Sequence, residues 1–128
     1  MRGSKRDLPV AFAGMGITLQ EIEWGDMNVG LESFPSGADS APIFRGLPND
    51  RCQCVHWGYV VTGRFRARYQ DHEEIFTAGD AYYLTPGHTT YFDEATELVE
   101  FSPKGEYDKT MDVAARNVAA MQAAGTAR

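Results

Sequence analysis

Short segments in which apolar and polar residues alternate follow one another along most of this chain, with a turn after each. The clearest is Arg64-Phe-Arg-Ala-Arg-Tyr69, where arginines alternate with apolar or aromatic residues. Because side chains along a strand alternate between the two faces of a sheet, the arginines are expected on the solvent face, opposite glutamates of a neighbouring strand. About eight to ten such strands with turns at this spacing predict a barrel or sandwich rather than alternating strands and helices.

Two segments in the middle of the chain are also predicted as strands. The first is 41–47, which Pro48-Asn-Asp50 separates from the second. The second is 50–62, which ends in a tight turn at Gly63.

The chain changes character after Pro103-Lys-Gly105. Apolar residues then recur on one face of a helix: Met111, Ala114, Ala115, Val118 and Met121. This spacing predicts a single C-terminal helix over 105–124. The β-barrel is accordingly predicted over 16–102, and 1–15 forms an N-terminal arm or first strand that packs on it.

Length and charge limit the function classes. A chain of 128 residues with 43% hydrophobic residues is long enough for one domain with a core. Its 12 basic and 18 acidic residues give a net charge of −6, the reverse of the basic surface that binds nucleic acid. No run approaches the roughly 18 apolar residues of a membrane span. We therefore expect neither a nucleic acid nor a membrane as a partner.

Two features bear on the cellular compartment. The N-terminal basic residues and short apolar patch superficially resemble a secretory signal. Asp7 and Pro9 interrupt the apolar segment, which is short for such a signal, so we expect an arm or first strand instead. A disulfide between Cys52 and Cys54 would be strained, because alternate Cα atoms along a strand lie roughly 6.5–7 Å apart. Reduced thiols predict a cytoplasmic protein.

Most residue types that can bind a metal fall within 50–63. On a strand, Cys52, Cys54 and His56 would share one face, and Asp50 would join them if the strand extends that far. His88 follows a Pro-Gly corner further along the chain. Each residue also has a purely structural alternative, since unpaired cysteines are often core residues and histidines are often hydrogen-bonded to backbone.

The same segment resembles the first motif of the cupins, G-x5-H-x-H-x3/4-E-x6-G. Counting back from Gly63 places His56 at the glutamate of that motif, Cys52 at its second histidine and Asp50 at its first. The resemblance implies a cupin-type jelly-roll β-barrel, here with one C-terminal helix, whose interior holds a metal.

A second segment resembles the other cupin motif, G-x5-P-x-G-x2-H-x3-N. Its matched positions are Gly79, Thr85 for the proline, Gly87, Thr90 for the histidine and Glu94 for the asparagine. His88 lies two residues before Thr90, so it is expected on the same side of that strand. The resemblance covers roughly residues 50 to 101 and brings the strands of His56 and His88 together.

Strand geometry limits how many of these residues reach one ion. Three consecutive same-face residues span roughly 13 Å between their outer Cα atoms, too far for one ion without a bulge. We therefore rank His56, His88 and Cys54 as the first ligands and Cys52 as the fourth, with water completing the shell if one cysteine stays out. Two thiols favour zinc over iron or manganese. His72, in an acidic turn, is expected to be solvated.

The sequence leaves two functions open. One is a metal-dependent enzyme of the cupin kind, with the metal acting as a Lewis acid on a small molecule. The other is a non-catalytic ligand-binding or sensing protein, metal-free or with a structural metal. By resemblance to small single-domain cupins, and because exposed sheet edges favour pairing, we expect a homodimer in which the segment through Phe34 pairs or swaps.

Overall fold

A computed structural model describes residues 1–126 of the chain. Its strands are β1 Val10–Gly14, β2 Ile17–Trp24, β3 Met27–Phe34, β4 His56–Thr62, β5 Arg64–Arg68, β6 Glu73–Thr77, β7 Ala81–Leu84, β8 Thr89–Phe92 and β9 Thr96–Pro103. One helix, α1, runs from Lys104 to Thr126. Along this part of the chain, no helix combines the length and apolarity needed to cross a membrane.

The strands form two antiparallel sheets. The larger sheet has the order β1-β2-β3-β9-β4-β7, and the smaller has the order β6-β5-β8. Buried side chains from both sheets make the main core: Val60, Phe65, Ala67, Tyr82, Leu84, Phe92 and Leu98. The all-β architecture with one C-terminal helix is the one that the sequence predicts.

The segment with alternating arginines forms β5 as predicted. Phe65 and Ala67 are fully buried, and Phe65 stacks on Phe92 of β8 with 5.2 Å between ring centroids. On the other face, Arg66 donates to Asp93 at 2.8 Å and to Glu73 of β6 at 3.0 Å. The arginines therefore lie on the outer face, paired with carboxylates.

The tight turn between β4 and β5 requires glycine at position 63. Gly63 has φ +92°, a left-handed conformation, and a Cβ there would lie 2.2 Å from the carbonyl oxygen of Ala95. Only a residue without a side chain fits both conditions.

The segment 41–47 is not a strand, so that prediction is wrong. Ala41–Phe44 is a short 3-10 helix, followed by a second one at Pro48–Asp50. Pro42 and Pro48 lack the backbone N–H that a strand ladder uses, and both sit at the starts of these short helices. The tertiary hydrogen bonds of this segment go instead to α1, where Asn117 donates to the carbonyl oxygens of Ile43 and Arg45 at 2.8 and 2.9 Å.

The strand predicted over 50–62 begins only at His56. Residues 52–55 have no continuous ladder, and Cys52 instead forms an isolated bridge with His88. Asn49 and Asp50 both have φ 56°, which turns the chain sharply before Cys52. The alternation of faces that holds within a strand therefore does not apply to the cysteines.

Candidate metal site

Cys52, His56 and His88 converge at one end of the space between the sheets. Their ligand atoms all lie within 4.8 Å of one another. The Cys52 Sγ lies 3.5 Å from the His56 Nε2, and the centroids of the two imidazole rings are 5.3 Å apart. The three side chains are buried, with 1%, 7% and 2% of their residue surface exposed, respectively.

Backbone hydrogen bonds hold two of these residues together. The N–H of Cys52 donates to the carbonyl oxygen of His88 at 2.8 Å, and the N–H of Gly87 donates to that of Cys52 at 2.8 Å. Gly87 has φ +95°, so the Pro86-Gly87 corner turns the chain and presents His88 beside Cys52. His56 comes from the first residue of β4.

The hydrogen bonds of the two imidazoles point their Nε2 atoms toward the group. The His88 Nδ1 donates to the carbonyl oxygen of Thr85 at 2.7 Å, which leaves the Nε2 lone pair free. The His56 Nδ1 lies 2.6 Å from the Ser102 Oγ and 3.5 Å from a carboxylate oxygen of Glu100. Such outer contacts fix the ring orientation of metal-binding histidines.

Burial sets the charge of each group in the absence of metal. It lowers the pKa of His56 and of His88 to about 4, so both imidazoles are neutral near pH 7. It raises the pKa of the Cys52 thiol to about 12, so that sulfur is protonated. The imidazoles are thus ready to bind a cation, whereas the thiol loses its proton only when a cation arrives.

The donor set fits a divalent metal. Zinc binds imidazole nitrogen and thiolate sulfur at about 2.0–2.3 Å, which places tetrahedral ligand atoms roughly 3.5 Å apart. The Cys52 Sγ to His56 Nε2 distance is 3.5 Å, and the other pairs of ligand atoms, within 4.8 Å of one another, need to approach by at most about 1.3 Å. Three protein ligands leave one position open, the arrangement typical of catalytic rather than structural zinc.

Comparison with known proteins identifies the fold. No protein-family model matches the sequence, and no curated protein matches it. Among solved structures, an RmlC-like cupin from Shewanella frigidimarina superimposes with a TM-score of 0.58 over 79% of this chain and 88% of its own, at 18% identity. The chain has the cupin fold.

Two further solved structures are similar to this chain in fold. KdgF from Halomonas sp. matches over 78% of this chain and 92% of its own, with a TM-score of 0.53 and 19% identity. A protein of unknown function from Rhizobium leguminosarum matches over 80% of this chain and 94% of its own, with a TM-score of 0.60 and 11% identity. These similarities establish the jelly-roll fold of the cupins for this chain and do not extend to a particular activity.

Cys54 lies outside the group of three converging ligands. Its sulfur is 3.3 Å from the carbonyl oxygen of Val55, and its side chain packs with Cys52 and Tyr107 in a second cluster under α1. The structure therefore differs from the ranking of Cys54 ahead of Cys52, because the chain between the cysteines is not a strand. Asp50 is exposed and accepts a hydrogen bond from the backbone N–H of Gly46 at 2.9 Å.

His72 is placed as expected. Its ring is exposed and bonds Asp71 at 2.7 Å in the turn before β6.

Sequence reasoning missed a row of carboxyl groups beside the site. One rung of paired residues crosses five strands of the larger sheet, in the order Glu21, Gly30, Glu100, Gly58 and Tyr82. The two glycines leave room for their large neighbours: a Cβ on Gly58 would lie 2.2 Å from the Tyr82 ring, and one on Gly30 would lie 2.8 Å from the carboxylate of Glu32. Glycines inside predicted strands were the available signal for this close packing.

Two buried carboxyl groups here have raised pKa values: Glu100 of this row, and Glu32, which lies two residues after Gly30 on β3. Burial raises the pKa of Glu100 to about 7, and Tyr82 donates a hydrogen bond to it at 2.8 Å. Burial, followed by repulsion from Glu100 and Glu21, holds the pKa of Glu32 well above its ordinary value. Tyr107, from α1, donates to Glu21. These residues form a polar interior next to the Cys52, His56 and His88 group.

An interior cavity of about 110 Å³ is bordered by both the candidate metal ligands and the buried carboxyl groups. Its walls include the three candidate ligands, Glu32 and Glu100. A space of this size holds a few non-hydrogen atoms, so it can accommodate a water molecule or the end of a small ligand.

Proposed function

We propose that this cupin is a metal-dependent enzyme that acts on a small molecule, with a divalent metal held by Cys52, His56 and His88. The observation that carries the proposal is the convergence of the ligand atoms of these three buried side chains within 4.8 Å of one another, with no fourth protein ligand in the group among residues 1–126. A metal held by three protein ligands has a position open to substrate or water.

Zinc is the metal that the donors favour. A thiolate with two imidazoles is a softer set than the oxygen ligands that manganese prefers. The usual cupin positions for three histidines and one glutamate hold other residues here, which disfavours iron and the oxygen chemistry that it supports. A cytoplasmic location, where thiols stay reduced, is consistent with a Cys52 thiol available to the metal.

The neighbouring residues define what the site can do. When bound, zinc would supply Lewis-acid polarisation of a carbonyl or hydroxyl oxygen. Thr85 and Ser102 hold the two imidazoles in orientation through their Nδ1 atoms. Glu100, with a pKa of about 7, can both give and accept a proton near neutral pH, as a general acid or base requires. Proton transfer next to a polarised oxygen, as in an isomerase or lyase, is the reaction class that this set supports.

A second candidate is a non-catalytic ligand-binding or sensing cupin. The observation in its favour is the small size of the interior cavity, about 110 Å³, together with the burial of His88. Such a cavity restricts access to the metal position, as expected for a structural ion.

The first experiment is elemental analysis of the protein purified without chelators, before and after equimolar zinc and desalting. We expect one zinc per chain in the wild type and none in His56→Ala or His88→Ala, with the same circular dichroism spectrum in all three. His72→Ala is the matched control and should keep its zinc. A wild-type protein that retains no metal would overturn the proposal.

A further inference from the structure

The ring of Tyr69 lies between two histidines, just after the end of β5. It stacks on His72 with 4.6 Å between ring centroids, and it meets the His88 ring in a T-shaped arrangement with 6.1 Å between centroids. The backbone N–H of Tyr69 donates to the carbonyl oxygen of His72 at 2.8 Å, and its side chain packs against the main core. Contacts on several sides therefore fix the position of the Tyr69 hydroxyl.

The Tyr69 hydroxyl is joined to His88 through one residue. The backbone N–H of Thr85 donates to the Tyr69 Oη at 3.0 Å. The carbonyl oxygen of the same threonine accepts the hydrogen bond from the His88 Nδ1 at 2.7 Å. Two consecutive hydrogen bonds thus run from Tyr69 through Thr85 to one of the three candidate metal ligands.

Thr85 needs such an anchor because it lies in the connection between β7 and β8, outside either strand. It is exposed, so without the Tyr69 hydroxyl its N–H would bond to water. Thr85 also precedes Pro86, which restricts its backbone to extended conformations, and the direction of its carbonyl group therefore follows from that of its N–H. Fixing the N–H on Tyr69 accordingly also aims the carbonyl oxygen at His88.

We propose that Tyr69 is a positioning residue for the metal site. By anchoring Thr85, it holds the carbonyl oxygen of that residue on the Nδ1 proton of His88 and keeps the Nε2 lone pair directed at the metal position. This inference rests on the proposed function and adds to it a residue that acts through Thr85 and not as a ligand. Outer partners of metal-binding histidines typically change metal affinity by about 10- to 100-fold.

The first test uses the metal-free protein with ¹⁵N-labelled histidine. A neutral imidazole carries one proton, and the nitrogen chemical shifts in NMR spectra near pH 7 show which ring nitrogen holds it. We expect this proton on the Nδ1 of His88 in the wild type, and on the Nε2 in a detectable fraction of Tyr69→Phe molecules. His56, whose Nδ1 faces Ser102 and Glu100 instead, is the internal control and should keep its proton distribution.

The second test measures zinc affinity by competition with a chromophoric chelator near pH 7. We expect Tyr69→Phe to bind zinc about tenfold more weakly than the wild type, with one zinc per chain at saturation. The matched control is Tyr91→Phe, since Tyr91 is also half-buried and its ring packs against the guanidinium of Arg68. Tyr91→Phe should leave both the proton position of His88 and the zinc affinity unchanged.

The outcomes separate this inference from the proposed function. In a wild type that binds zinc, an unchanged proton position of His88 or an unchanged zinc affinity in Tyr69→Phe would overturn the inference. An equal loss of affinity in Tyr91→Phe would overturn it as well, because the effect would then be general destabilisation. A wild type that retains no zinc contradicts the proposed function, and the NMR comparison then decides by itself whether Tyr69 positions His88.

Discussion

Cys52 is the one candidate ligand whose protonation must change when a metal binds. Burial raises its pKa to about 12 and lowers those of His56 and His88 to about 4. Between pH 5.5 and 8, the imidazoles are therefore already neutral, whereas the thiol releases its proton on binding.

We accordingly predict that zinc affinity rises about tenfold per pH unit across this range, with about one proton released per zinc. Competition with a chromophoric chelator at several pH values measures the affinity. The control is Cys52→Ala, which should bind zinc more weakly and with little pH dependence. A steep pH dependence that persists in Cys52→Ala would mean that another group loses the proton.

Glu32 is a second residue whose burial has a measurable effect. Its folded-state pKa is raised above the unfolded value, so the folded state binds a proton more tightly than the unfolded state does. The stability that this gives is present at low pH and is lost as pH rises from about 4.5 toward the folded-state pKa. Glu32→Gln, which removes the ionisable group, should therefore stabilise the metal-free protein more at pH 8 than at pH 5.

Urea unfolding at the two pH values measures this difference. Glu94→Gln is the control, because Glu94 is exposed. An equal change in the free energy of unfolding at both pH values in Glu32→Gln would contradict the assigned environment of this carboxyl.

The sequence was informative for some of these residues and not for others. The convergence of His56 and His88 could be predicted, because His56 stands at the glutamate position of the first cupin motif and His88 lies two residues before the histidine position of the second. The choice between Cys52 and Cys54 could not, since it depends on where β4 begins. The inward direction of Glu100 could not be predicted either, because strand parity does not say which face is inside.

At the scale of the element, the close packing of glycines against large side chains in the larger sheet predicts that a small substitution there destabilises the fold. A Cβ on Gly58 would overlap the Tyr82 ring, so Gly58→Ala should displace that ring and weaken its hydrogen bond to Glu100. We expect a loss of about 1–3 kcal/mol in the free energy of unfolding, the usual cost of overpacking. Chemical denaturation measures it.

Gly105 provides the matched control for this substitution. It lies in the first turn of α1 with open space around its Cα. Gly105→Ala should be neutral or stabilising by up to about 1 kcal/mol, because alanine favours helix. Similar destabilisation by both substitutions would show that Gly58 is not specially constrained.

Elements with a strong local signal could be predicted. The alternation of 64–69 and the helical spacing after Pro103 are properties of neighbouring residues, and both elements form. The segment 41–47 is apolar enough for a strand, but Pro42 and the contacts of the segment with α1 favour a 3-10 helix. Those contacts join residues about seventy positions apart in the chain. The pattern of neighbouring residues contains no information about contacts over that distance.

At the scale of the whole molecule, we propose a homodimer formed through the outer face of the larger sheet. Apolar side chains cluster there on β4, β7 and β9: Trp57, Tyr59, Val61, Tyr83 and Phe101. Trp57 stacks on Tyr83 with 5.3 Å between ring centroids, and each of the five side chains is more than one-third exposed. Contiguous exposed patches of this kind mark association surfaces.

We predict that light scattering gives twice the mass of one chain for the wild type and a single-chain mass for Tyr59→Glu. The matched control is Ile75→Glu, since Ile75 lies on the smaller sheet and is 49% exposed against 48% for Tyr59. A dimer that survives Tyr59→Glu would instead favour pairing through the N-terminal segment, where β1 forms the sheet edge.

The separation of the candidate ligands along the chain determines when a metal can enter. Cys52 and His56 leave the ribosome before β5, β6 and β7, and His88 only after them. The main hydrophobic core contains none of the three ligands, so the sheets can assemble without an ion. Under the proposed function, insertion of the metal is then a late step of biosynthesis. The fraction of metal-loaded molecules would depend on metal supply and on how fast the folded protein admits the ion, rather than on folding yield.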